Sequence, residues 1–214
     1  MVNVKIISIT KPLIDGINTA EELISYCARV SNPSNQLNVD TAPKLLKYCL
    51  VHEHWSIFEQ VSMSVEIKTS RAIAAQILRH RSFSFQEFSQ RYASTTNLED
   101  IQWRQQGKTN RQVGEEPLDL SLELTEQINN AQKESVRLYE NLIDSGVAKE
   151  CARMLLPLNT STTLYMTGSV RSWIHYLKLR TKQDTQKEHR VIAEEIKKIF
   201  VKEFPVTACA LNWL

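Results

Sequence analysis

The sequence predicts an α/β (α+β) fold: a small sheet covered by helices, in one domain over 1–214. Three observations carry that reading. Val61, Met63, Val65 and Ile67 alternate with Ser62, Ser64 and Glu66, the period of a strand with one buried face. From about 118 to 145, Leu124, Ile128, Ala131, Leu138 and Leu142 recur at helical spacing, and Gly146 follows as a left-handed cap. Five glycines in 214 residues are too few turn residues for a loop-rich all-β protein.

The elements follow in chain order. Residues 2–9 (VNVKIISI) read as a strand. Residues 19–29 read as a helix, with Thr19 as N-cap and Glu22 completing a capping box. A helix over 41–54 tolerates Pro43 in its first turn. The strand at 61–67 is followed by a helix to about residue 80, and 93–117 reads as a long polar surface loop. After the amphipathic helix come a short helix over 148–156 stopped by Pro157, a strand over 160–167, and helices over about 169–181 and 186–203. The domain closes before Pro205.

Composition excludes several classes. Lys and Arg number 26 against 24 Asp and Glu, a net charge of +2 that gives no strong field for nucleic acid or membrane. Apolar residues make up 42%, which fits a packed globular chain and excludes wholesale disorder. No apolar run approaches the ~18 residues of a membrane span, and the start lacks the pattern of a signal peptide, so the expected compartment is the cytoplasm. Cys27, Cys49, Cys151 and Cys209 form no CxxC pair, and ordinary thiols in a reducing compartment are expected. His52, Glu53, His54 and Glu59 lack HExxH spacing, so no metal site is expected. Gly107-Lys108-Thr109 lacks the glycine that a P-loop needs at 102, where Gln stands.

The densest chemistry lies in QILRHRSFSFQEFSQRY, Gln76 to Tyr92. Gln76 and Arg79 share a helix face opposite Ile73, Ala74 and Ile77, and Arg79-His80-Arg81 fans out at the helix end. Between 79 and 111, six basic residues stand against three acidic ones, a local balance of +3. Arginine forks with serine hydroxyls are how proteins hold phosphate. A solvated basic loop, a nucleic-acid-binding module and a phosphate-binding transferase without flavin share that signature. On the 169–181 helix, Val170, Trp173, Ile174 and Leu177 form the apolar side. Arg180 falls ~20° from Trp173 by helical arithmetic, so it needs an anionic or hydrogen-bonding partner.

Arg79-His80-Arg81, seven residues, then Ser89-x-Arg91-Tyr92 resembles the signature of the flavin-dependent thymidylate synthases (ThyX). The pattern RHRxxSxNxxSxRY is met at every fixed position but one, where Gln86 replaces Asn. The likeness extends to Cys27-Ala-Arg-Val-Ser31, His54–Glu59, Gly146–Leu158, and Arg171…Arg180 followed by Gln186-x-Glu188. It implies a ThyX-like fold and a homotetramer with active sites shared between subunits. The implied reaction is methylation of dUMP to dTMP, with methylenetetrahydrofolate as carbon donor and NADPH reducing a tightly bound FAD.

By the same resemblance, Gln76, Arg79, Glu87, Ser89, Gln90, Arg91, Arg153 and Arg180 belong to the dUMP site. Ser56, Arg79, His80, Arg81, Glu87, Ser169, Arg171 and His175 belong to the FAD site. Arg180 is the catalytic residue, polarising the uracil ring, and neither Ser89 nor a cysteine is a covalent nucleophile. Ser169 and His175 stand where Asn is frequent in the family, and Asp184 where His often follows.

Overall fold

In a computed structural model, which describes residues 3–214, β1 (Asn3–Ile9), β2 (Ser62–Ser70), β6 (Ser161–Ser169) and β3 (Ser84–Glu87) form an antiparallel sheet in that spatial order. The alternation that predicts β2 is the reason the sheet has a covered face. Met63, Val65 and Ile67 are wholly buried, as are Leu164 and Met166 of β6, with Val65 opposite Met166. Helices α3 (Arg71–Ile77), α6 (Val170–Arg180) and α7 (Lys187–Glu203) supply Ile73, Ile77, Trp173, Ile174, Leu177, Ile192, Ile196 and Phe200 to the same core. The Trp173 indole keeps its donor satisfied there by donating to the Met63 carbonyl at 3.0 Å.

Helices α1 (Ala20–Ala28) and α2 (Ala42–Val51) begin as expected, the first with the complete Thr19–Glu22 capping box and the second with Pro43 in its first turn. The long helix α4 (Leu122–Asp144) ends at Gly146, whose φ of 83° is the left-handed conformation glycine adopts freely.

Several boundaries differ from the sequence expectation. The helix expected to run to 54 stops at Val51, because the chain turns through Glu53 at φ 57° into a 3₁₀ turn, Trp55–Glu59. The helix expected to reach about 80 ends at Ile77, and Ser84–Glu87, for which the sequence predicts no element, form β3 against β6. The stretch 93–117 contains a hairpin, β4 (Arg104–Gln106) with β5 (Gly114–Pro117), whose polar residues carry no alternation to betray it. The 148–156 helix divides into α5 (Lys149–Ala152) and a 3₁₀ turn, Arg153–Leu155.

A further helix, α8 (Pro205–Ala210), starts where the domain was expected to close, with Pro205 at its first position. Its N-terminus is capped from the far end of the sequence. The buried Glu21 carboxylate accepts from the Val206 and Thr207 amides at 3.0 and 2.6 Å. Two of the residues expected on the covered face of α4, Leu124 and Leu138, are exposed, and Tyr139 is its one buried residue.

Candidate functional site

The segment 80–83 runs alongside α6 in the opposite direction and is fastened to it at both ends. Ser172 donates its hydroxyl to the Ser82 carbonyl at 3.1 Å, and Phe83 packs edge-on to Trp173, ring centres 4.7 Å apart. At the other end Arg180 donates its Nε to His80 Nε2 at 2.9 Å. The His80 ring lies edge-on to Tyr176 at 4.9 Å, and the Tyr176 hydroxyl meets His189 Nε2 at 3.1 Å.

Burial, with the Arg180 charge beside it, brings the His80 pKa down to about 4. Burial, then Arg180 and His80, brings His189 down to about 3. Burial raises the Tyr176 hydroxyl. Both imidazoles are therefore neutral near pH 7. His80 accepts through Nε2, which puts its proton on Nδ1. Arg180 accordingly has a neutral partner and, among the described residues, no carboxylate within ion-pair distance.

A second group of expected residues gathers where the 55–59 turn meets α6. Arg171 pairs with Glu59 at 2.6 Å, and the His175 ring lies 4.6 Å from Trp55, next to Ser56. Burial, then the charges of Arg171 and Lys178, lowers the His175 pKa. Ser169 caps α6, its hydroxyl accepting from the Ser172 amide at 3.3 Å. Arg79 and Arg81 are exposed and meet no carboxylate among the described residues.

The remaining residues lie elsewhere. Glu87 is held on the sheet by Arg71 at 3.4 Å and the Thr162 hydroxyl at 2.9 Å. Ser89 is exposed and opens a turn, its carbonyl accepting from the Tyr92 and Ala93 amides. Gln90 is buried, with an Nε2 that has no partner among the described residues. Arg91 pairs with Glu150 at 3.2 Å, and Arg153 donates to the Glu150 carbonyl at 3.4 Å, so these two guanidinium groups share one neighbourhood. Gln76 donates its Nε2 to Gln186 Oε1 at 2.6 Å.

Three participants are not expected from the sequence. Arg104 of the hairpin pairs with Glu188 at 2.5 Å beside an open cleft of about 340 Å3. Burial opposes the Glu188 charge, but hydrogen bonds from Arg104, its own backbone and Gln186 hold its carboxyl below the ordinary range. Tyr176 and His189 are the other two. His189 stands on the apolar stripe of α7 with Ile192, Ala193, Ile196 and Phe200, and that placement is a signal legible in the sequence.

Comparison with known proteins identifies the family and the fold. Residues 12–206 match the family described as thymidylate synthase complementing protein. A probable flavin-dependent thymidylate synthase of Paramecium bursaria Chlorella virus 1 is 55% identical over 98% of this chain and 99% of its own. A flavin-dependent thymidylate synthase of Synechocystis is 54% identical over 99% and 100%. Among solved structures, a UMP/dUMP methylase, PolB, from Streptomyces cacaoi bound with 5-Br dUMP superposes with a TM-score of 0.81 at 25% identity, covering 99% of this chain and 95% of that one. The histidine-flanked Arg180, the RHR turn fastened along α6 and the near-full-length identity lead to one conclusion: the chain belongs to the flavin-dependent thymidylate synthase family.

Proposed function

We propose that this protein carries out the reductive methylation of dUMP to dTMP, with methylenetetrahydrofolate as carbon donor and NADPH as source of electrons, as a homotetramer. The observation that carries the mechanism is the partner of Arg180. A guanidinium held by a neutral imidazole keeps its charge uncompensated by protein, so it is available to charge that develops on a bound base. Arg180 in this reading polarises the uracil ring and favours loss of its N3 proton, and His80 fixes the direction of the guanidinium.

The donor set fits FAD. Arg79 and Arg81, free of carboxylates among the described residues, suit a pyrophosphate, and Ser56, Ser169, Arg171 and His175 border one side of α6 beside the Trp55 ring. His80 and Glu87 complete the residues that would hold it. When bound and reduced, the flavin supplies hydride.

Gln76, Arg79, Glu87, Ser89, Gln90, Arg91 and Arg153 would hold dUMP. Arg91 and Arg153, which share the neighbourhood of Glu150, suit its phosphate. No enzyme nucleophile is needed. Among the described residues the Ser89 hydroxyl has no basic partner, and burial raises the thiols of Cys27 and Cys49 away from thiolate.

Arg180→Ala tests the assignment. The variant is expected to keep its flavin and its NADPH oxidation while dTMP formation falls about a hundredfold or more, the scale of removing a preorganised donor. A variant that purifies without flavin would make Arg180 a cofactor or folding residue and overturn the role.

A further inference from the structure

Four side chains from three separate elements form one line of hydrogen bonds. Arg104 Nη2 of β4 donates to Glu188 Oε1 at 2.5 Å. Gln186 Nε2 donates to Glu188 Oε2 at 2.9 Å. Gln76 Nε2 of α3 donates to Gln186 Oε1 at 2.6 Å.

The direction of every bond is forced by chemistry at one end. A guanidinium has only donors, and an ionised carboxylate has only acceptors. Glu188 therefore accepts on both oxygens, and Gln186 has to present its NH₂ to it. The Gln186 carbonyl is left facing Gln76, which has to present its own NH₂ in turn. What remains on Gln76 is the second N–H of its amide and, as its one acceptor, its carbonyl oxygen, which lies on the side of the amide away from the line.

We infer that Arg104, Glu188 and Gln186 are positioning residues that fix the Gln76 amide with its carbonyl toward the nucleotide, where it accepts a hydrogen bond from an N–H or O–H of the ligand. This rests on the placement of Gln76 in the dUMP site. An unconstrained glutamine offers either end of its amide to a ligand; a fixed one holds its acceptor in one place, where only a ligand donor can use it. In dUMP the available donors are the uracil N3–H and the 3′-hydroxyl. A ligand group with only acceptors gains nothing from this oxygen.

The line can be inverted by a near-isosteric change. In Glu188→Gln, Arg104 still needs an acceptor, so the new amide turns its carbonyl to Arg104 and its NH₂ to Gln186. Gln186 then flips, Gln76 flips in response, and Gln76 offers NH₂ where it had offered oxygen. Adding Gln76→Glu to that background restores an acceptor. The new carboxylate takes the Gln186 NH₂ on one oxygen and shows the ligand the other, and net charge equals that of wild type. Gln76→Glu alone sets a carboxylate against the Gln186 carbonyl and leaves neither satisfied.

The experiment is dUMP titration by calorimetry on flavin-loaded protein, with KM and kcat measured alongside. Glu188→Gln is expected to weaken dUMP about tenfold, with kcat changed less than KM, while flavin content and melting temperature are held. Gln76→Glu alone is expected to weaken it at least as much, and the double variant to bind more tightly than either single one. That sign reversal is something a merely structural role does not produce. The 2′,3′-dideoxy analogue of dUMP identifies the donor: if it is as sensitive as dUMP to Glu188→Gln the donor is N3–H, and if it is insensitive the donor is the 3′-hydroxyl.

Binding unchanged in Glu188→Gln, or a double variant no better than Gln76→Glu, overturns the inference. Gln76→Ala separates it from the reading it rests on. If that variant binds dUMP normally, Gln76 is outside the dUMP site and the placement itself fails.

Discussion

His189 is wholly buried, its Nε2 on Tyr176 and its Nδ1 without a partner among the described residues. Its pKa of about 3 lies below that of the unfolded chain, so between the two values the unfolded state binds the extra proton. The stability linked to the neutral ring is complete above about pH 6.5 and is lost as pH falls toward the folded value. Replacing the pair, with His189→Leu and Tyr176→Phe together, removes the titration without orphaning the hydroxyl. Urea unfolding near pH 7.5 and near pH 5 is expected to show the double variant losing less stability than wild type by about 1–2 kcal/mol. Equal losses in the two proteins would end the neutral-histidine account. Arg180 is legible in the sequence because helical arithmetic alone sets it beside Trp173, and its partner lies one turn past Gln76 in the same motif. The Tyr176–His189 pair is not legible, because the packing of α6 against α7 that joins it leaves no local pattern.

At the scale of elements, the joint between β6 and α6 depends on the absence of a side chain. A Cβ added to Gly168 would lie 2.4 Å from Phe83 Cδ1, and that ring is already confined by Trp173 and Tyr176. Gly168→Ala therefore has to displace the ring that anchors the 80–83 segment along α6. We expect a loss of about 1–3 kcal/mol, read as a lower melting temperature, with weakened flavin retention because His80 and Arg81 move with Phe83. Unchanged stability would show that the segment has slack. The strands β1, β2 and β6 and the long helices are legible because each has a periodic apolar face. β3 is four residues long, and β4 and β5 are polar on both faces, so their pairing depends on neighbours supplied by distant sequence. The division of the 148–156 helix at Arg153 likewise leaves no local signal, since Ala152 to Leu156 are all compatible with a continued helix.

At the scale of the molecule, α4 is a 23-residue helix with one buried residue, and Leu122, Leu124, Leu138, Met154, Leu155 and Leu158 are exposed on it and nearby. Apolar surface of that kind agrees with the proposed homotetramer. Arg153 donates to Glu150 and Arg180 to His80, so the two arginines are held by different parts of the chain, and the proposed shared site brings them together from two subunits. Arg153→Ala and Arg180→Ala are each expected to be nearly inactive, yet their co-expression to recover roughly a quarter of wild-type activity through mixed pairs with one intact site. Proven hybrids no more active than their parents would put both arginines in one chain's site. The cap that Glu21 provides for α8 acts over a comparable span. Its donors, at 206 and 207, are made 185 and 186 residues after its acceptor. Until α8 emerges from the ribosome, the Glu21 carboxylate of α1 lacks the two amide donors that hold it in the folded protein. The Glu21 cap can therefore form only after α8 has been made, so this part of the fold closes by joining segments 185 residues apart in the chain.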